Sequence, residues 1–219
     1  MIAALVVAAA ATSEIAVGLP ADALIERVVA RYGGMKHYRD CGEAVDPSLL
    51  TADKITFKTA FARPEKIRFE WNEPRRGVRH VVSSDGTETR TVSKVGKEPE
   101  EARDDYDLNM ALNSAAGASR GASIRIPGLL LWGKIDGPTI RTIRRSKIER
   151  EDVVDARPVW VAAGAYGDLF LRLFVDKADF LILRTELASS LGSKDVLEVV
   201  SYRPDVEAPV GAEDLQATF

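Results

Sequence analysis

Lys54 to Trp71 reads KITFKTAFARPEKIRFEW, and the fold turns on this stretch. Ile55, Phe57, Thr59 and Phe61 alternate with Lys54, Thr56, Lys58 and Ala60. Ile67, Phe69 and Trp71 alternate with Lys66, Arg68 and Glu70. A period of two marks a half-buried strand. Arg63-Pro64-Glu65 between the runs is turn chemistry, so the two strands read as an antiparallel hairpin. Val78, His80 and Val82 continue the alternation to the turn Ser84-Asp85-Gly86, and Thr87 to Val95 leads away again.

Upstream the period changes. Leu24, Ile25, Val28, Val29 and Tyr32 form one apolar stripe of helical spacing. The spacing predicts a helix over 21–32, with Pro20 and Asp22 at its start and Gly33-Gly34 as its stop. Downstream, Pro99 to Ser123 has no strand-like run and allows one or two helices around Tyr106 to Asn113. Ile124 to Trp132 is an apolar segment that Pro127-Gly128 breaks. After Gly137-Pro138 strands resume at Thr139–Glu151, Val159–Ala165, Leu169–Asp176, Leu181–Ala188 and Val196–Tyr202, separated by short turns. Parallel crossovers need a dozen or more residues, so these strands meander antiparallel. The expected class is α+β, mainly antiparallel β.

Thirty basic against thirty-three acidic residues give a net charge of −3, without the basic surplus of a nucleic-acid binder. Arg141, Arg144, Arg145 and Lys147, followed by Glu149, Glu151 and Asp152, read as a charged strand face. Cys41 is the one cysteine, so neither a disulfide within the chain nor a thiolate metal cluster can form. It is expected within a strand. Ile2 to Ala11 is an apolar run followed by Thr12-Ser13-Glu14. It is too short for a membrane span and fits the core of a secretory signal, although no Lys or Arg follows Met1. Residues 1–19 are read as signal and leader, 20–219 as one domain, and the mature protein as periplasmic or secreted.

Gly117-Ala-Ser119-Arg-Gly121 matches a nucleophile-elbow pattern, but it follows no apolar strand. His37 and His80, the two histidines, both precede it, so no base can follow the serine. His37 and Cys41 stand four apart on a stretch read as strand, too far apart to share a metal. His80 reads as a packed core histidine. Neither an enzyme, a metal nor a cofactor is expected.

The layout resembles the LolA/LolB-like superfamily of bacterial envelope lipoprotein and lipid carriers. The resembling stretches are a helix ending in Arg31-Tyr32-Gly33, then Phe61 to Trp71, Val81-Val-Ser-Ser-Asp-Gly86, and the run Leu169 to Arg184. The resemblance implies an incomplete barrel, a strongly curved sheet whose concave face is covered by the N-terminal helix and mid-chain helices and holds an apolar cavity for acyl chains. Two features depart from it: no aromatic follows the Asp-Gly turn in Thr87 to Thr91, and the Pro99–Ser123 insert is similar to uncharacterised branches. Phe57, Phe61, Phe69 and Trp71 share a face, and Leu129, Leu130, Leu131 and Trp132, at the end of a 99–132 insert, are the segment to cover it. The expected partner is a lipid or lipid-modified protein, with a membrane-associated donor or acceptor. The rival expectation is a ligand-free protein-interaction or regulatory module on the same sheet.

Overall fold

The computed structural model describes residues 19–48, 54–96, 101–103, 107–192, 195–216 and 218. Residues 1–18 of the signal and leader read at 1–19, and Tyr106, lie outside them.

Helix α1 (Ala21–Gly33) forms as its stripe demands, with Leu24, Ile25, Val28 and Tyr32 buried. Six strands follow: β1 (His37–Val45), β2 (Ile55–Ala62), β3 (Lys66–Glu73), β4 (Val78–Ser84), β5 (Thr89–Val95) and the short β6 (Glu101–Arg103). Then come helices α2 (Leu108–Ala118) and α3 (Ala122–Leu130), a 3-10 turn at Ile140–Thr142, and β7 (Arg144–Val154), β8 (Arg157–Tyr166), β9 (Leu169–Asp176), β10 (Ile182–Ala188) and β11 (Val196–Asp205). No helix among the described residues is long and apolar enough to cross a membrane.

The strands make one eleven-stranded sheet in the order β6-β5-β4-β3-β2-β1-β11-β10-β9-β8-β7. Two meanders therefore meet where the first strand pairs with the last, with Gly42 opposite Tyr202. That seam is tight: a Cβ on Gly42 would lie 2.3 Å from the Ser201 carbonyl oxygen and from the Phe57 ring, so only glycine fits. The sheet is open and curved, and among the described residues its edges are β6 and β7. The chain passes between these edges through α2 and α3, which pack with α1 against the sheet's inner face. A second, smaller cluster of Val154, Val159, Val161, Phe174 and Leu183 lies apart from this core.

Three expectations are corrected. The 99–123 stretch contains a strand, β6, which pairs with β5 through Val92 and Ala102. The strand expected from Thr139 begins only at Arg144, because residues 140–142 close a 3-10 turn in which the Thr139 and Thr142 side chains reciprocally cap. Pro127-Gly128 does not break the apolar segment. Helix α3 runs through Pro127, and Leu131 N–H donates to the Pro127 carbonyl at 2.8 Å. Proline removes one helical hydrogen bond, but eight of the nine α3 residues are buried, and that packing outweighs the loss.

Candidate functional site on the concave face

The β2–β3 hairpin registers Phe57 opposite Trp71, Thr59 opposite Phe69 and Phe61 opposite Ile67. Alternation then turns every aromatic side chain of the hairpin inward. Phe57 and Phe69 centroids stand 5.9 Å apart, Phe69 and Trp71 5.7 Å, and Tyr202 of β11 meets Phe57 edge-on at 5.6 Å. The structure thus brings together the four aromatic residues singled out from the sequence.

It also places Leu129, Leu130 and Leu131 against them, each 2% exposed or less. The segment does not stay inside: Trp132 is 69% exposed and stacks under the Arg141 guanidinium, 3.9 Å from its ring centroid. Leu131 ends the helix with φ −102° and ψ 50°, which turns the next side chain outward. A cavity beneath Leu129–Trp132 is the sequence expectation; here side chains fill that space. Phe61, Phe69, Leu112, Ile126, Leu129 and Leu130 all have no accessible surface, so no water-sized void touches them. The helices act as a plug. An open volume of about 940 Å³ is instead a polar groove at the rim, lined by residues including Glu65, Glu88, Asp107, Lys134 and Asp136.

Polar tethers hold the plug. Arg63, just past β2, donates to the carbonyls of Tyr32, Gly33, Met35 and Leu130, tying the ends of α1 and α3 together. Its guanidinium also lies 4.8 Å over the Phe61 ring. Arg125 of α3 is 2% exposed and donates to Thr185 Oγ1 at 3.0 Å and to Glu198 at 2.6 Å. Asp107 caps α2 through the Met110 N–H, and Ser123 Oγ donates to the Leu112 carbonyl, joining α3 to α2. Sequence reasoning passed over both arginines. The available signals were a charge inside the apolar run Ile124–Trp132 and a cation next to a turn proline.

A small polar group lies within the core. Asp40 is 6% exposed and accepts from Tyr38 Oη at 2.8 Å and from Thr59 N–H at 3.0 Å. Burial lifts its carboxyl to about 6, against the opposing pull of those two residues. Burial also raises the phenols of Tyr32, Tyr38, Tyr166 and Tyr202, keeping them neutral. Tyr32 Oη accepts from Ile182 N–H.

The rejected motifs find other roles. Ser119 ends α2, has no accessible surface, and its Oγ accepts from Ser123 N–H at 3.1 Å: it is a helix-to-helix turn. His37 and Cys41 both face outward on β1, about 13 Å apart at strand rise; Cys41 lies within a strand, as expected, and is exposed. His80 is half-buried rather than a core residue. It stacks on Trp71 at 4.5 Å, with Nδ1 2.8 Å from Ser93 Oγ and Nε2 3.1 Å from Glu73. Burial lowers its pKa, against the opposing pull of Glu73.

No family model matches the chain, and no curated protein does. Solved structures do. LprF from Mycobacterium bovis aligns over 89% of this chain and 97% of its own at 12% identity, with a TM-score of 0.51. The chain has the fold of LprF. Lipoprotein LppX of Mycobacterium tuberculosis aligns over 87% of this chain and 98% of its own, at 11% identity and a TM-score of 0.50. The complex of Pseudomonas aeruginosa MucA and MucB contains a chain matched at 15% identity over 90% of this one, with a TM-score of 0.47. The present chain spans 61% of that protein's length. The open curved sheet with helices on its concave face, which the resemblance implied, is the observed architecture.

Proposed function

We propose that the protein is a carrier of the bacterial cell envelope. It holds a lipid, an acyl chain or a lipid-modified protein against Phe57, Phe61, Phe69 and Trp71, in the space that α2 and α3 occupy in the closed form described above. The plug carries this reading. Two short apolar helices, continuous in the chain with both free edges of the sheet, fill the concave face without pairing to any strand. Withdrawing Leu112, Ile126, Leu129, Leu130 and Leu131 from the core costs roughly 1.5–3 kcal/mol per side chain, about 10 kcal/mol together. Burying a long acyl chain returns about 0.8 kcal/mol per CH₂, roughly the same sum. Exchange of plug for ligand is near balance, as loading and release both require. The resemblance to the LolA/LolB-like superfamily supports the reading, and an envelope location follows from Ile2–Ala11 taken as an export signal.

The test is whether lipid co-purifies, by mass spectrometry of organic extracts, and whether cis-parinaric acid binds saturably at one site per chain with a rise in its fluorescence. No lipid and no saturable binding would overturn the carrier. That result favours a second reading, a protein-interaction module, on one specific observation: side chains already fill the interior at every inward position named above except Trp132.

A further inference from the structure

Trp132 is unused by the carrier reading. Its neighbour Leu131 is 2% exposed, whereas its own indole is 69% exposed and covered on one face by Arg141. Exposing so large an apolar ring to water is unfavourable unless something covers it. The four carbonyl bonds of Arg63 hold the ends of α1 and α3 at one rim of the sheet. Arg31 and Lys36, both exposed, flank the carbonyls that Arg63 binds on the α1 side. Glu65 is the acidic neighbour, 3.2 Å from Lys134. Beyond Lys134 the rim groove carries Glu88, Asp107 and Asp136, so the positive part of the rim is its α1 side. On a chain of net charge −3 this is a local inversion of sign.

We propose that this rim, Trp132 with Arg31, Lys36, Arg63 and Arg141, docks on a bilayer surface carrying anionic lipids. Tryptophan settles at the headgroup level, where its ring is half apolar and its N–H stays wet. Each basic residue beside an anionic surface strengthens binding about fivefold. Docking puts the C-terminal end of α3 against the membrane, so a lipid released by the plug would leave directly into the bilayer. The inference deepens the carrier reading by supplying its membrane partner, and its test reads vesicle binding rather than lipid loading.

The full chain is mixed with vesicles of phosphatidylcholine alone or with phosphatidylglycerol added. Trp71 is 5% exposed and Trp160 half-buried against Phe180, so Trp132 dominates any change in emission. We expect co-sedimentation with the mixed vesicles only, weakening as salt rises, with blue-shifted emission and quenching by brominated acyl chains. Trp132→Phe abolishes both the shift and the quenching. Arg31→Ala with Lys36→Ala weakens binding about 25-fold, two charges at about fivefold each, with an unchanged circular dichroism spectrum. All variants retain residues 1–18, so any membrane affinity of that segment is common to them. Equal binding to pure phosphatidylcholine, unchanged binding by the double variant, or quenching that survives Trp132→Phe each overturn the proposal. A chain that loads parinaric acid yet ignores vesicles fails this proposal alone; one that docks without loading fails the carrier reading alone.

Discussion

Asp40 shows what a single residue can hide in a strand. Its position in the alternation of β1 turns it inward, and the sequence offers no cation to receive it. The structure surrounds it with a phenol and a backbone N–H instead. Because its folded pKa of about 6 lies above the ordinary 3.8, the folded chain holds this proton more tightly than the unfolded chain. Stability from this group is therefore full below about pH 4 and falls as pH rises to about 6. Above that the buried carboxylate carries a constant penalty of about 2–3 kcal/mol. Asp40→Asn keeps an acceptor for Thr59 and removes the titration. Urea denaturation at several pH values should show the variant gaining on the wild type from pH 4 to 6, then a plateau. A difference independent of pH would dissociate Asp40 from the effect.

At the scale of elements, the segment from Leu129 to Trp132 reads as one apolar block and behaves as two. Leu129→Ala should cost about 2–5 kcal/mol, as truncation of a fully packed leucine does, while Trp132→Ala should fall within about 0.5 kcal/mol of wild type, as surface changes do. Thermal or urea melts of the two variants check this, and equal losses would mean that Trp132 is packed in solution. The hairpin β2–β3 was legible because alternation, turn and register follow from neighbouring residues. Helix α3 was not. Its Pro127-Gly128 argues locally for a break, and only burial on nearly every side sustains it. Strand β6 was missed for a similar reason: three residues are too few for a period, and pairing with β5 creates the strand.

Across the whole molecule, the sheet and the plug differ in how they are held. Strands β1 and β2 are paired on both sides over nearly their whole length, whereas α2 and α3 rest on apolar contacts and a few tethers. Native-state hydrogen exchange should therefore find residues 108–131 opening as a unit, with a smaller urea dependence than β1 and β2. Parinaric acid in the plug's place should speed that exchange. Slowing by ligand would place the ligand on the closed form and contradict displacement of the plug. The aromatic half of the candidate site, Phe57, Phe61, Phe69 and Trp71, was legible, since one face of a hairpin gathers it. The arginines at positions 63 and 125 were not, because their partners are carbonyls and side chains far away in sequence.

By itself the sequence determined the α1 stripe, the antiparallel hairpin and the mainly β class, because helical and strand periods express how adjacent residues share one face. The tertiary structure alone decided that β1 closes on β11, that α3 survives its proline, that Trp132 points to solvent and that the concave face is filled. Each depends on contacts between residues tens of positions apart, where burial and close packing outweigh local preference.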